Sequence, residues 1–232
     1  MFEIVTFGSS SAGNGYLLKD GDSHLLLEAG IRPKNMQLDW SKVDGLLITH
    51  EHNDHAKYVS DYLKRGAFNV HCTPGTAEKL KVTASYRVNE HNYQEPFKVK
   101  QWLIIAFMVE HDAAEPAGFL IQSPSGKKIL FATDTYYIRY KFQGITHFMI
   151  ECNYSLEILA RNREQQLIDY HQYKRIIKSH FELNNLIDFF KANDLTKAEE
   201  ILLLHLSDRN SDKAQFIKKI EATTGVPTYV AG

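Results

Sequence analysis

A run of apolar residues that ends in a crowd of imidazoles constrains this chain most: Leu46-Leu47-Ile48-Thr49-His50-Glu51-His52-Asn53-Asp54-His55. A tight polar loop following a buried strand can project neighbouring imidazoles and a carboxylate in different directions, toward one or two borderline-soft cations. A merely solvated loop has no need of three His and one Asp at H-x-H-x-D-H spacing. The chain carries 11 His in 232 residues, and His is the commonest metal ligand, so further ligands are expected elsewhere in the sequence.

Around this loop the sequence reads as short strands punctuated by turns. Apolar runs at Phe2 to Phe7, Tyr16 to Leu18, Leu25 to Leu27 and Leu46 to Ile48 are separated by Gly-containing breaks. The style continues through Asn69 to Cys72, Phe97 to Val99, Leu103 to Val109, Gly118 to Ile121, Ile129 to Ala132 and His147 to Ile150. After Tyr154 the texture becomes helical. Ser155 is expected to cap a helix through Leu156 and Leu159, and Leu183, Leu186, Ile187 and Phe190 recur at helical spacing. Asp212 to Thr224, closed by Gly225, is a further helix before a terminal strand, Val226 to Val230. No linker or repeat interrupts the pattern, and one domain over 1–232 is expected.

Composition narrows the function classes. With 44% hydrophobic and 24% charged residues the chain can build a core. Its 27 Lys plus Arg against 28 Asp plus Glu exclude a purely electrostatic nucleic-acid coat. No apolar stretch is long enough for a membrane span and the start lacks a signal-peptide pattern, so no membrane association is expected. Cys72 and Cys152 are too few for a disulfide scaffold and are expected to be buried thiols in a reducing, cytoplasmic compartment.

Three later segments place further ligand types at the ends of apolar runs: Val109-Glu110-His111, Leu130-Phe131-Ala132-Thr133-Asp134 and Leu202-Leu203-Leu204-His205. Taken singly, each His also reads as a hydrogen-bonded structural residue and Asp134 as a turn or cap. Taken in order after the first loop, the set resembles the metallo-β-lactamase fold superfamily over nearly the whole chain. That resemblance implies an α/β (α+β) fold, a single-domain αββα sandwich. It further implies that His50, His52 and His111 hold one divalent ion, that Asp54, His55 and His205 hold a second, and that Asp134 bridges them. Two ions, Zn or Mn, would then share a hydroxide that attacks its substrate, with Asp54 counted among the catalytic groups.

Asp134, where the lactamase branch frequently has Cys, turns the resemblance toward phosphodiesterases: ribonuclease Z, the phosphonate-pathway cyclic phosphodiesterase and the YycJ/WalJ-type nucleases. Met149-Ile150-Glu151-Cys152-Asn153-Tyr154 and Ser179-His180-Phe181-Glu182 are similar to segments of that branch. There the His protonates the leaving oxygen, which makes His180 the general acid and Glu151 its orienting carboxylate. A pairing of Glu151 with a surface Lys, and His180 as a helix cap, are the structural alternatives. Gly8-Ser9-Ser10-Ser11-Ala12-Gly13-Asn14 resembles the YycJ/WalJ-type start, so Ser9, Ser10, Ser11, Asn14 and also Asn153 are candidate substrate-binding residues. Glu28 stands where the family usually has Asp. Tyr136, Tyr137 and Tyr140 could stack on a base or line a core edge.

The expected activity is therefore a binuclear phosphodiesterase acting on nucleic acid. A cyclic nucleotide or other small phosphodiester is the alternative substrate, and thioester or lactone hydrolysis the alternative chemistry. A homodimer is compatible with all of these.

Overall fold

A computed structural model describes residues 1–82 and 85–232. The chain forms two compact units, one comprising Met1–Met108, Ala113–Lys127 and Gly232, the other Val109–Asp112 and Lys128–Ala231.

The first unit is built on a six-stranded sheet in sequence order: β1 (Phe2–Ser10), β2 (Gly13–Asp20), β3 (Ser23–Leu27), β4 (Val43–Leu47), β5 (Asn69–Cys72) and β6 (Val88–Glu90). β1 to β3 are antiparallel hairpins, whereas β3 to β6 run parallel. Gly21, at φ 62, opens the two-residue turn between β2 and β3, a position that admits glycine without steric cost. The parallel pairing aligns Leu27 with Leu47 and Leu47 with His71. The residues that follow β3 and β4 therefore emerge side by side at the carboxyl ends of these strands. β2 and β4 are buried on both faces, which explains why they read as continuous apolar runs rather than alternating ones.

Short helices α1 (Asn53–Ala56), α2 (Val59–Arg65) and α3 (Pro74–Leu80) make the crossovers. Tyr62 of α2 is fully buried in the Leu17, Leu26, Leu46 and Val70 cluster. It satisfies its hydroxyl by donating to the Ile31 carbonyl at 3.0 Å. An antiparallel set, β7 (Pro96–Val99), β8 (Trp102–Met108) and β9 (Ala117–Gln122), completes this unit.

The second unit carries four parallel strands in the order β10 (Lys128–Ala132), β11 (His147–Glu151), β12 (Glu200–Leu204) and β13 (Thr228–Val230). Helices α4 (Leu156–Glu164), α5 (Tyr170–Ser179), α6 (Leu183–Ala192) and α7 (Lys213–Thr224) connect them. Because the strands are parallel, Asp134, Asn153 and His205 follow the same ends of β10, β11 and β12. Loops beyond the carboxyl ends of parallel strands are where α/β folds place their chemistry.

The expected ends of α7 are present: Asp212 accepts from the Gln215 N–H at 3.0 Å and Gly225 lies at φ 69. Ser155 differs from expectation, because its hydroxyl makes no cap. Glu182 instead accepts from the Leu156 N–H at 3.2 Å, and also from the Asn184 and Asn185 N–H groups at 2.6 and 3.1 Å. One buried carboxylate thus caps two helices, leaving no role for the nearer, weaker hydroxyl. Cys72 and Cys152 are free and buried. Burial pushes the Cys72 thiol up to about 12 and the Cys152 thiol well above its usual range. Among the described residues no helix is long and apolar enough to cross a membrane.

Candidate functional site

In the first unit, the polypeptide leaves β4 through Ile48 and Thr49 and enters α1, delivering His50, His52, Asp54 and His55 within one short turn. The ring centroid of His50 lies 4.7 Å from that of His52 and 4.2 Å from that of His55. Imidazoles this close keep a defined arrangement only if each ring is held by its other nitrogen. The Thr49 hydroxyl donates to Glu28 Oε1 at 2.6 Å and lies 2.9 Å from His50 Nδ1. With its proton spent on the carboxylate, the hydroxyl accepts from Nδ1–H, so the lone pair of His50 resides on Nε2.

His55 is fixed by a second device. The Asn14 amide nitrogen faces the Ser10 carbonyl at 3.1 Å, the Asp54 carbonyl at 3.3 Å and His55 Nε2 at 3.0 Å, while its oxygen accepts from the Tyr16 hydroxyl at 3.3 Å. His55 Nε2 is therefore an acceptor, and it stands 3.3 Å from another acceptor, Asp54 Oδ2. Two ligands of one tetrahedral cation with bonds near 2.05 Å are about 3.4 Å apart. This pair has the spacing of two ligands of a shared cation.

Glu28, the residue in place of the usual Asp, is fully buried just beyond β3 with φ 66. Its longer arm reaches the Thr49 hydroxyl and stands 3.5 Å from His55 Nδ1. Burial pushes its carboxyl above the usual carboxylate range, against the opposing pull of His55 and Thr49. Gly30 clamps the turn from behind. A Cβ there would lie 1.7 Å from the Asp54 carbonyl oxygen and 2.6 Å from the Asn14 nitrogen. The Ala29 N–H also donates to the His55 carbonyl at 2.6 Å.

The second unit gathers Asp134, Glu151, His180 and His205, whose ligand atoms lie within 4.8 Å of one another. Asp134 and His205 stand at positive φ, 34 and 52, Asp134 two residues beyond β10 and His205 directly after β12. His205 Nδ1 faces Glu151 Oε1 at 3.2 Å and Asp134 Oδ1 at 3.3 Å. Two carboxylates facing one ring nitrogen place the proton on it, and the lone pair is on Nε2. His111 donates from Nδ1 to the Ser179 carbonyl at 3.1 Å, which turns Nε2 toward Asp134 Oδ2, 3.8 Å away. His50, His55, His111 and His205 all present Nε2 as the electron-pair donor. Together with the two aspartates, these sets are able to bind metal ions.

Glu151 differs from Asp134 in how its oxygens are used. It is fully buried. Oε2 accepts from the Thr135 and Phe181 N–H groups at 2.9 and 3.1 Å, and Oε1 from His180 and His205. Four donors occupy its lone pairs, so it orients neighbours. His180 Nδ1 lies 2.6 Å from Oε1, and its ring stacks on His205 at 5.4 Å. Burial alone lowers the His180 pKa and raises that of Glu151. Their mutual attraction reverses both, leaving His180 above and Glu151 below its ordinary value. The cap of α6 is Glu182, not His180.

The candidate substrate-binding residues lie in contrasting surroundings. The Ser9 hydroxyl lies 2.7 Å from the Tyr16 hydroxyl, and the Ser10 hydroxyl accepts from the Ala12 N–H at 3.2 Å. Ser11 is exposed. Asn14 and Asn153 are buried, the latter donating to the His205 carbonyl at 2.7 Å. The sequence reading did not single out Thr49, Thr135 or Ser179. Thr49 was findable as a hydroxyl beside the first His, whereas Ser179 acts through a backbone carbonyl that any residue supplies.

The sequence pattern of the beta-lactamase superfamily domain matches residues 24–206. The chain belongs to that superfamily. Over 175 residues it is 27% identical to the exodeoxyribonuclease WalJ of Streptococcus pneumoniae, the match covering 68% of this chain and 65% of WalJ. It is 26% identical over 177 residues to the exodeoxyribonuclease YycJ of Bacillus anthracis, covering 70% and 66%. The chain thus matches just under two thirds of the length of each of these curated relatives. The crystal structure of the metallo-beta-lactamase fold protein YhfI from Bacillus subtilis superposes with a TM-score of 0.75 at 15% identity, covering 100% of this chain and 97% of that one. The superfamily member described here has the mixed α/β, two-sheet metallo-β-lactamase fold expected from its sequence.

Proposed function

We infer that this protein is a binuclear metal-dependent phosphodiesterase acting on nucleic acid. The Glu151–His180 pair carries the reading. An imidazole held at 2.6 Å by a fully buried carboxylate, beside Asp134 and His205, keeps Nε2 turned toward a reacting group. Thioester hydrolysis has little use for such a group, because a thiolate departs without being protonated. An alkoxide leaving phosphorus needs a proton, and a positioned acid contributes about 10²- to 10⁴-fold.

In this reading His50, His52 and His111 hold one ion, Asp54, His55 and His205 a second, and Asp134 both. When bound, the ions, Zn or Mn, supply Lewis-acid polarisation of the phosphoryl group and lower the pKa of water at the site. The chain does the remaining work. Thr49 with Glu28, the Ser179 carbonyl and Glu151 hold the ligand tautomers, and His180 delivers the proton to the leaving oxygen. The names of the relatives support DNA as substrate, and two buried free thiols fit a cytoplasmic compartment.

The test is a panel of linear and cyclic phosphodiesters, single- and double-stranded nucleic acids, a thioester and a lactone, with added Zn or Mn. His180→Ala should lose about 10²- to 10⁴-fold on an alkyl phosphodiester and much less on a p-nitrophenyl ester, whose phenolate leaves unaided. Equal losses on both would assign His180 to positioning. Turnover confined to the thioester or lactone would overturn the reading.

A further inference from the structure

We propose that a groove in the second unit, between the segment following Asp134 and helix α6, is a stacking site for one nucleobase of a single-stranded nucleic acid. This rests on the nuclease reading above. The groove encloses about 440 Å³, within the size range of small-ligand sites. Its floor is aromatic: Phe181 and Phe189 are buried, with ring centroids 6.3 Å apart at 63°. Its rim carries Tyr136 and Tyr137, which are 40% and 54% exposed.

Large rings left half in water beside a concave aromatic floor are what base stacking employs, since every base offers a π-face. The polar lining suits a base better than a purely apolar ligand. Asn185, on the α6 wall, bears an amide that can both donate to and accept from a base edge, and the lining includes the cation of Lys141 and the carboxylate of Asp188, the latter paired with Lys191. Arg139 is committed to Glu110, neutralising the carboxylate next to His111.

The walls of the groove are also flanks of the site. Tyr136 donates its N–H to the Glu110 carbonyl at 3.1 Å, beside His111. Phe181 follows His180 directly and donates its N–H to Glu151 at 3.1 Å. A strand whose phosphodiester is presented to Asp134 and His180 therefore has a neighbouring nucleotide beside this groove.

The test uses the full chain, metal-stripped so that binding is read without cleavage, and a fluorescent single-stranded oligonucleotide in which an abasic site is moved along the sequence. Wild type should lose about 10-fold in Kd when the abasic site reaches one position. Tyr137→Ala should show that same loss with the intact strand and no further loss with the abasic one, and Tyr137→Phe should bind like wild type. With 5-iodouracil at the sensitive position, photo-crosslinking should label the peptide containing Tyr136 and Tyr137. Losses that multiply between the variant and the abasic strand, an unaffected Tyr137→Ala, or labelling elsewhere would overturn the groove assignment. Cleavage of the oligonucleotide by the metal-loaded wild type is followed in parallel. Cleavage with unaffected variants discards the groove alone, whereas absence of both binding and cleavage discards the nuclease reading with it.

Discussion

Replacing Glu151 with Gln exchanges one carboxylate oxygen for an amide nitrogen in a pocket that presents only donors. If that nitrogen takes the place of Oε2, it meets the Thr135 and Phe181 N–H groups, which have no alternative protonation. Such a placement would bury two unsatisfied backbone donors at about 1–3 kcal/mol each. If it takes the place of Oε1 it meets His180 and His205, whose rings can give up the Nδ1 proton, His180 by losing it and His205 by moving it to Nε2, and accept from the amide. The second arrangement wins. Two charge-assisted bonds of about 1.5–3 kcal/mol become neutral bonds of about 1 kcal/mol, a net loss of roughly 2 kcal/mol. For a chain of this length that lowers Tm by about 4–8 °C. The tautomer change also puts a proton on the nitrogen with which His205 would bind a cation, costing about 10- to 100-fold in metal affinity. Thermal unfolding of the metal-free protein, titration with Zn, and nitrogen NMR of the imidazoles read the three consequences separately. A variant that melts within about 1 °C of wild type, or one that keeps Nδ1–H on both rings, would refute the reasoning.

Gly30→Ala should destabilise by at least about 1–3 kcal/mol, because the added methyl overlaps the Asp54 carbonyl rather than a flexible side chain; denaturant unfolding checks it. Thr49→Val removes the hydroxyl joining Glu28 to His50 at nearly constant volume and should weaken metal binding about 10-fold, as read by competition with a chelating dye. His71 is held down to about 3 by burial and by His91, 2.9 Å away, against an ordinary value of 6.5. Its contribution to stability is complete above the unfolded pKa and falls as pH drops below 6.5, since only the unfolded chain takes up the proton. By pH 4 the loss is about 3 kcal/mol. Urea unfolding between pH 7 and pH 4 should therefore show a shallower decline for His71→Gln than for wild type, and parallel curves would sink this account.

Much of this was legible in the sequence where one cause acts alone. Asn69 to Cys72 forms a strand with those bounds because a short apolar run between turn residues has few other uses. The first loop was readable because three His and one Asp at close spacing have little structural purpose. Legibility failed where the deciding partner is remote in sequence. Ser155 looked like a cap, but Glu182 outcompetes it from 26 residues away. Helix α5 was not anticipated, since its moderately polar sequence gains its place by packing Ile176 with Tyr154 and Leu159. Nothing in the sequence around Asn153 announced that its amide meets the His205 carbonyl, 52 residues away.

Glu28, Asp134 and His205 share a left-handed backbone at the ends of three strands. Asp and His enter that region more readily than a longer side chain such as Glu, and glycine enters it without penalty. Glycine at position 28 would relieve the backbone but leave the Thr49 hydroxyl and the His55 ring without their buried carboxylate. A laboratory lineage screened only for survival at high temperature would therefore gain nothing by shedding this side chain. At this turn, tolerance of heat and retention of the ligand set are selected together.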